Sequence, residues 1–119
     1  MTFRKIKIKE NSNVSYSSPE LLFLGESGQP YRGTLYVSFR SQEETFDLRD
    51  FKKYLTSLRQ RTFNAEDIAY EIFSTIAKNI SVKKLGVIVD LSARGGIQQR
   101  VGFGTEFAPI KKANIFQLG

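Results

Sequence analysis

Between Arg32 and Phe103 the apolar residues change their spacing twice, from every second residue to helical spacing and back. Leu35, Val37 and Phe39 alternate with Thr34, Tyr36 and Ser38, the period of a strand with one buried face. After the polar turn Ser41–Glu43, Phe46 and Leu48 return in phase, which predicts a hairpin of Arg32–Arg40 with Glu44–Leu48. Phe51, Tyr54, Leu55 and Leu58 then fall on one stripe of a helix from about Arg49 to Gln60. Asn64 is a predicted N-cap for a second helix, with Glu66 and Asp67 in its first turn, where the helix dipole favours carboxylates. Ile68, Ala69, Ile72, Phe73, Ile76 and Ala77 form the stripe that this helix buries. The strand period returns over Val82–Ser92, with Leu85, Val87, Val89 and Leu91 on one face, and over Ile97–Phe103. The order ββααββ predicts an α+β fold, an antiparallel four-stranded sheet with two helices on one face. Such a sheet leaves exposed edges, and closing several copies into a ring or barrel removes them.

The flanks read differently. Phe3–Lys9 places Ile6 and Ile8 on one face and Lys5, Lys7 and Lys9 on the other, an edge or arm strand. Glu10–Pro19 is rich in Ser and Asn and reads as a loop, Leu21–Leu24 as a short strand, and Gly25–Pro30 as a turn. The expected division is an arm over residues 1–19, a domain over 20–104 and an irregular tail over 105–119.

Composition narrows the chemistry. The 119 residues are enough for one domain with its own core. No run approaches the ~20 apolar residues that span a bilayer. Met1–Glu10 has no signal-peptide core, so the expectation is a soluble, cytoplasmic protein without a membrane partner. The chain has no Cys, which removes disulfides, thiolate metal sites and thiol nucleophiles. It has no His either, which removes the commonest general base and the commonest metal ligand, and no metal site is expected. The net charge of +6 favours phosphate-bearing partners such as RNA, and also serves solubility alone.

Three short blocks carry a resemblance. The first is Leu24-Gly25-Glu26-Ser27-Gly28-Gln29-Pro30-Tyr31. The second is Asp47-Leu48-Arg49-Asp50-Phe51-Lys52-Lys53-Tyr54, followed by Ala65-Glu66. The third is Arg94-Gly95-Gly96. In this order and at these separations the chain resembles, over about Glu20 to Gly104, the QueF family, the 7-cyano-7-deazaguanine reductases of the tunnelling fold. In that family a nucleophilic cysteine lies shortly before Gly-(Gln/Tyr)-Pro-Asp, a Glu-x-Lys-Ser-x-Lys-x-Tyr pattern holds NADPH, and His-Glu opens the second helix. By this resemblance Leu24 stands at the nucleophile, Tyr31 at the proton-donating acid and Ala65 at the histidine, so no catalytic residue is expected. Ser27 is no substitute nucleophile, because a neutral hydroxyl needs an adjacent base and no histidine exists to serve. The zinc-dependent branches of the tunnelling fold are excluded in the same way.

The resemblance implies that Glu66, with Ser27 and Gln29, binds a purine- or deazaguanine-like ligand, since a carboxylate accepts two parallel N–H bonds from an amino-pyrimidinone. The plainer reading of Glu66 is an ordinary first-turn carboxylate. Arg49 and Lys52 share a helix face and form either a phosphate clamp or a solvated surface, and Asp50 adds a negative charge where a nucleotide phosphate would lie. No cofactor is expected; NADPH belongs to the alternative below. The expected function is a noncatalytic, homo-oligomeric binding module for a purine-like molecule or RNA, a pseudoenzyme of a family tied to queuosine biosynthesis and tRNA modification. The alternative is an enzyme of 7-deazaguanine metabolism with an altered mechanism or a partner subunit, and a third reading is a structural partner in a hetero-oligomer. Purified protein mixed with 7-cyano-7-deazaguanine and NADPH is expected to show no substrate-dependent loss of NADPH absorbance; a steady loss free of contaminating enzyme would overturn the noncatalytic reading.

Overall fold

The computed structural model describes residues 1–104, apart from the side chain of Arg94. In chain order the elements are β1 (Lys5–Lys7), β2 (Asn13–Leu24), β3 (Pro30–Ser41), β4 (Glu44–Phe46), α1 (Leu48–Ser57), α2 (Ile68–Asn79), β5 (Val82–Arg94) and β6 (Ile97–Gly104). Single 3-10 turns over Leu58–Gln60 and Ala65–Asp67 end α1 and lead into α2. Four antiparallel strands form the main sheet in the order β2-β3-β5-β6, and β1 and β4 form a separate two-stranded ladder. The α+β class, the four-stranded sheet and the two helices on one face are as the sequence predicts. The predicted tail from Thr105 lies outside the described residues.

The strands are not all the predicted ones. Glu44–Phe46 does not pair back onto β3 as a hairpin; it pairs with β1, Lys5 opposite Phe46 and Lys7 opposite Glu44. The cause is that Thr45 and Phe46 are both buried, so the chain must leave the sheet and enter the helix layer. The neighbour of β3 is instead β2, much of it the Ser-rich segment that reads as a loop. Tyr16 decides this. Its ring packs against Phe39 and Phe46 at centroid distances of 6.3 and 5.1 Å, and its hydroxyl bonds Thr45 Oγ1 at 2.9 Å. Asn13, Ser15 and Ser17 face solvent on the other side, where polarity is no obstacle to a strand. Pro19 sits at a register shift between Ser18 and Leu21, a device that blunts an edge strand.

The core lies between the sheet and the helices. Leu21 and Phe23 of β2, Leu35 and Val37 of β3, and Val87 and Val89 of β5 are all buried and meet Phe51, Leu55, Ile68, Ile72 and Ile76 of the helices. Phe3, which the sequence assigns to an arm strand, is buried beside Phe46, Phe51 and Tyr54, all within 5.8 Å by ring centroid. The next residue clamps α1. The backbone N–H and the guanidinium of Arg4 donate to the Asp50 carboxylate at 2.8, 2.9 and 3.0 Å. Asp47 caps α1 by accepting the Arg49 N–H at 2.8 Å, and its own N–H donates to the Arg4 carbonyl at 2.8 Å.

The far face of the sheet is laid out by register. Asn13, Arg40 and Lys83 form its last row, Ser15, Ser38 and Gly86 the next, and Ser17, Tyr36 and Ile88 the one after.

Bonds from Arg49, those of its guanidinium first and then that of its backbone N–H, hold the Asp47 carboxyl at about 2 against an ordinary value of 3.8. A carboxyl with a depressed folded-state pKa stabilises fully above its unfolded value and loses that contribution as pH falls through the folded one. Asp47→Asn is therefore expected to lower the melting temperature at pH 6, with the difference from wild type shrinking between about pH 4 and pH 2. Circular-dichroism melts across that range check it, and an equal deficit at both ends would show that the ion pair contributes nothing.

Candidate functional site

One end of the main sheet gathers most of the residues singled out by sequence. There β2 ends at Leu24, β3 begins at Pro30, and β5 turns into β6 through Gly95 and Gly96, both at a positive φ that glycine adopts without strain. The segment after α1 docks on this end: Leu24 N–H donates to the Arg61 carbonyl at 3.0 Å, and Phe63 N–H donates to the Leu24 carbonyl at 2.8 Å. Leu24 thus uses both backbone groups to hold the stretch that leads to Ala65 and Glu66. Two features hold the 25–29 turn. Gly25 N–H donates to the Gln29 carbonyl at 2.8 Å, and Gly28 takes a φ of 84°. A Cβ at Gly25 would stand 2.6 Å from Gln29 Nε2 and 2.7 Å from the Tyr31 ring, so only glycine lets these side chains fold over the turn.

The individual positions are as follows. Ser27 Oγ donates to Gln29 Oε1, so the two proposed ligand-binding side chains bond each other. Tyr31 stacks on Phe23 at 5.1 Å and 14°, and Phe63 meets Phe23 edge-on at 6.0 Å. Ala65 is buried at the head of the 3-10 turn. Asn64 makes no side-chain capping bond, and α2 begins at Ile68, later than the sequence predicts. Glu66 is exposed and accepts one bond, from Gln99 Nε2 of β6 at 3.0 Å. Its other oxygen meets no donor among the described residues.

A lock stands behind this end. Glu71 accepts from the Tyr54 hydroxyl at 2.9 Å and Thr75 Oγ1 at 3.1 Å, and from the Arg61 guanidinium at 3.4 Å. Arg61 also lies 4.8 Å over the Phe63 ring. Burial pushes the Glu71 carboxyl up, but the Tyr54 hydroxyl, Arg61 and Thr75 outweigh it and leave it below its ordinary value. Burial, with the Glu71 charge, pushes the Tyr54 phenol well above its own.

Arg49 and Lys52 are not part of this end. They sit in the first turns of α1, beside β1 and β4, and the ~15 Å of a ten-residue helix separates them from the segment that docks on Leu24. They line a hollow of about 510 Å³ with Arg4, Lys53 and Thr56. Two of its cations are paired, Arg49 with Asp47 at 2.9 Å and Arg4 with Asp50 at 2.9 Å. Sequence reasoning missed Arg4, Glu71 and Gln99, because no local pattern ties Arg4 to Asp50, Glu71 to Tyr54 or Gln99 to Glu66. The described residues hold no cluster of three or more metal-ligating side chains.

A profile described as QueF-like protein matches residues 30–108, about two thirds of the chain. The chain belongs to the QueF-like protein family. An NADPH-dependent 7-cyano-7-deazaguanine reductase of Sulfurimonas denitrificans is 28% identical over 90 residues, covering 75% of this chain and 72% of that protein. The protein of the same name from Wolinella succinogenes is 32% identical over 71 residues, covering 60% of this chain and 57% of its own length. Among solved structures, the archaeosine synthase QueF-Like in its apo form superposes with a TM-score of 0.75 at 19% identity, covering 85% of this chain and all of that one. The superposition fixes the tunnelling fold. The family match begins at Pro30, so Leu24, Ser27 and Gln29 lie upstream of it.

Glu71→Gln weakens three contacts at a partly exposed carboxylate, so its expected cost is about 1 kcal/mol, below the roughly 1.5–3 kcal/mol of a charged hydrogen bond because solvent screens it. Urea denaturation measures it, and a loss below ~0.3 kcal/mol would mean that solvent screens the lock.

Proposed function

We propose that this chain is a noncatalytic member of the QueF-like family that holds a purine- or deazaguanine-type base against Glu66. The observation that carries the reading is the placement of Glu66: exposed at the sheet end, oriented by Gln99 and with one oxygen that meets no donor among the described residues. A carboxylate so held accepts paired N–H donors from an amino-pyrimidinone edge, and Gln99 restricts its rotation without neutralising its charge. The noncatalytic part rests on chemistry. The chain has no thiol and no imidazole, the buried Ala65 and the apolar Leu24 offer neither nucleophile nor base, and Tyr31, stacked on Phe23, puts a weakly acidic phenol where the resemblance calls for a carboxylic acid. Ser27 and Gln29 contribute to binding if their mutual bond opens toward the ligand.

In this reading the protein acts as a homo-oligomer. The edges of β2 and β6 are open among the described residues, and β6 carries exposed Ile97 and Phe103. Glu66 lies beside the β6 edge through Gln99, so a neighbouring copy paired there would wall the ligand site.

A second reading, a reductase acting like the named relatives, has one feature in its favour. The hollow of Arg4, Arg49, Lys52 and Lys53 would attract a nucleotide phosphate such as that of NADPH. Asp47 and Asp50 already pair with two of those cations, which weakens the attraction.

Glu66→Gln is expected to weaken binding of 7-cyano-7-deazaguanine or guanine by roughly 1.5–3 kcal/mol, the range for a hydrogen bond to a charged group. Isothermal titration of wild type and variant checks it, alongside a native mass spectrum for subunit number and co-purified ligand. Equal affinities, or a monomer that binds no base, would show that the site has been abandoned.

A further inference from the structure

The cations of this protein fall into two groups. Arg4, Lys5, Arg49, Arg59, Arg61 and Arg100 each lie within 4 Å of a carboxylate. Several exposed cations have no such partner among the described residues, Arg32, Lys52, Lys53 and Lys78 included, but Arg40 and Lys83 also stand directly opposite one another in the β3–β5 register, beside a register shift. Both are exposed. Like charges directly opposite on neighbouring strands repel, and a sheet ordinarily avoids them or places a carboxylate between. Further along the same face the chain does that: Asp90 is opposite Arg100 and bonds it at 3.3 Å. The Arg40–Lys83 juxtaposition is therefore a feature that folding does not ask for.

Its surroundings are donors. Asn13 is the next residue in the row, and Ser15 opposite Ser38 forms the row behind it, all three without a side-chain partner among the described residues. Gly86, opposite Ser38, continues that second row without a side chain. Buried Ser41 fixes the position of the row's end: its Oγ donates to the Lys9 carbonyl at 2.5 Å and accepts the Ser12 N–H at 2.9 Å, tying the 9–12 turn to the end of β3. The nearest acidic side chains in sequence, Glu10 and Glu43, line a separate hollow with Lys7 and Lys9 and bond neither Arg40 nor Lys83.

We propose that the Asn13–Arg40–Lys83 row is a docking strip for the phosphodiester backbone of a nucleic acid. A guanidinium and an ammonium on adjacent strands, separated by the ~5 Å of an antiparallel pair, match successive backbone phosphates. The amide and hydroxyls beside them donate to phosphate and sugar oxygens, contacts that position a strand without reading its sequence. The row is the last on the far face, one register position before Ser41–Val82 at the end opposite Glu66, and remains accessible at the rim if copies pair edge to edge. This strip is independent of the Glu66 reading.

The test is fluorescence anisotropy with three labelled probes of one sequence, an RNA hairpin, single-stranded DNA and duplex DNA, over 50–300 mM KCl. Wild type is compared with Arg40→Gln/Lys83→Gln and with a control that removes the same charge elsewhere, Lys7→Gln/Lys78→Gln. All these side chains are exposed, so melting curves should coincide. The row variant is expected to lose about tenfold in affinity at low salt. The slope of log K against log salt should fall by roughly 0.7–0.9 for each phosphate contact removed, whereas the control keeps its slope. Preference for the hairpin identifies RNA as the partner, and equal loss on all three probes identifies the backbone alone; both support the strip. Equal losses in the two double variants, or no binding by wild type to any probe at 50 mM KCl, would overturn it.

Discussion

The helix side of this molecule hangs on the place where the chain leaves β4 and enters α1. Phe46 is fully buried there, stacked on Phe51 at 4.5 Å and in contact with the rings of Phe3, Tyr16 and Phe39. Ring pairs of this kind contribute ~0.5–1.5 kcal/mol each beyond the area they bury. The rings come from five separate segments, so this one cluster joins the N-terminus, the edge of the sheet and the first helix. Asp47 follows at once as the α1 cap, and Arg4 closes over the same turn onto Asp50. Loss of Phe46 would release β1, the start of β2 and the first turn of α1 together.

The same junction decides what the two ends of the sheet can do. Held at its N-terminus, α1 runs the length of the core and delivers the 61–67 segment to Leu24, where Glu66 meets β6 through Gln99. Glu71 fastens that delivery by bonding Tyr54 of α1 and Arg61 of the connecting segment at once. The candidate ligand site is thus assembled from β2, β6 and the connection between the helices. The cationic hollow of Arg4, Arg49, Lys52 and Lys53 stays at the other end of α1. In the proposed site a ligand the size of a single base would lie clear of that hollow.

Electrostatics in this protein is local. Most arginines are held by carboxylates in bonded pairs, several at element ends where they also fix backbone geometry. Among the described residues the unpaired positive charge lies chiefly on exposed lysines with Arg32 and Arg40. Surface pairs of this kind contribute little to stability, so their main effect is to settle which cations are available to a partner.

The sequence alone determined the class of the fold, the two helices, β3, β5 and β6, and the positive-φ glycines after β5, because each is written in a local period or a local steric requirement. It also placed Glu66 ahead of α2 and excluded thiol and imidazole chemistry. It could not place β2, since Asn13–Ser18 has the composition of a loop and becomes a strand only when Tyr16 finds Phe39, Phe46 and Thr45. It could not send Glu44–Phe46 to β1 in place of β3, because period alone does not say which neighbour a strand will take. Nor could it join Gln99 to Glu66, Arg61 to Glu71, or Arg40 to Lys83. Those contacts depend on strand register and helix docking, which are settled by side chains distant in sequence meeting across the core, and only the tertiary structure decides them.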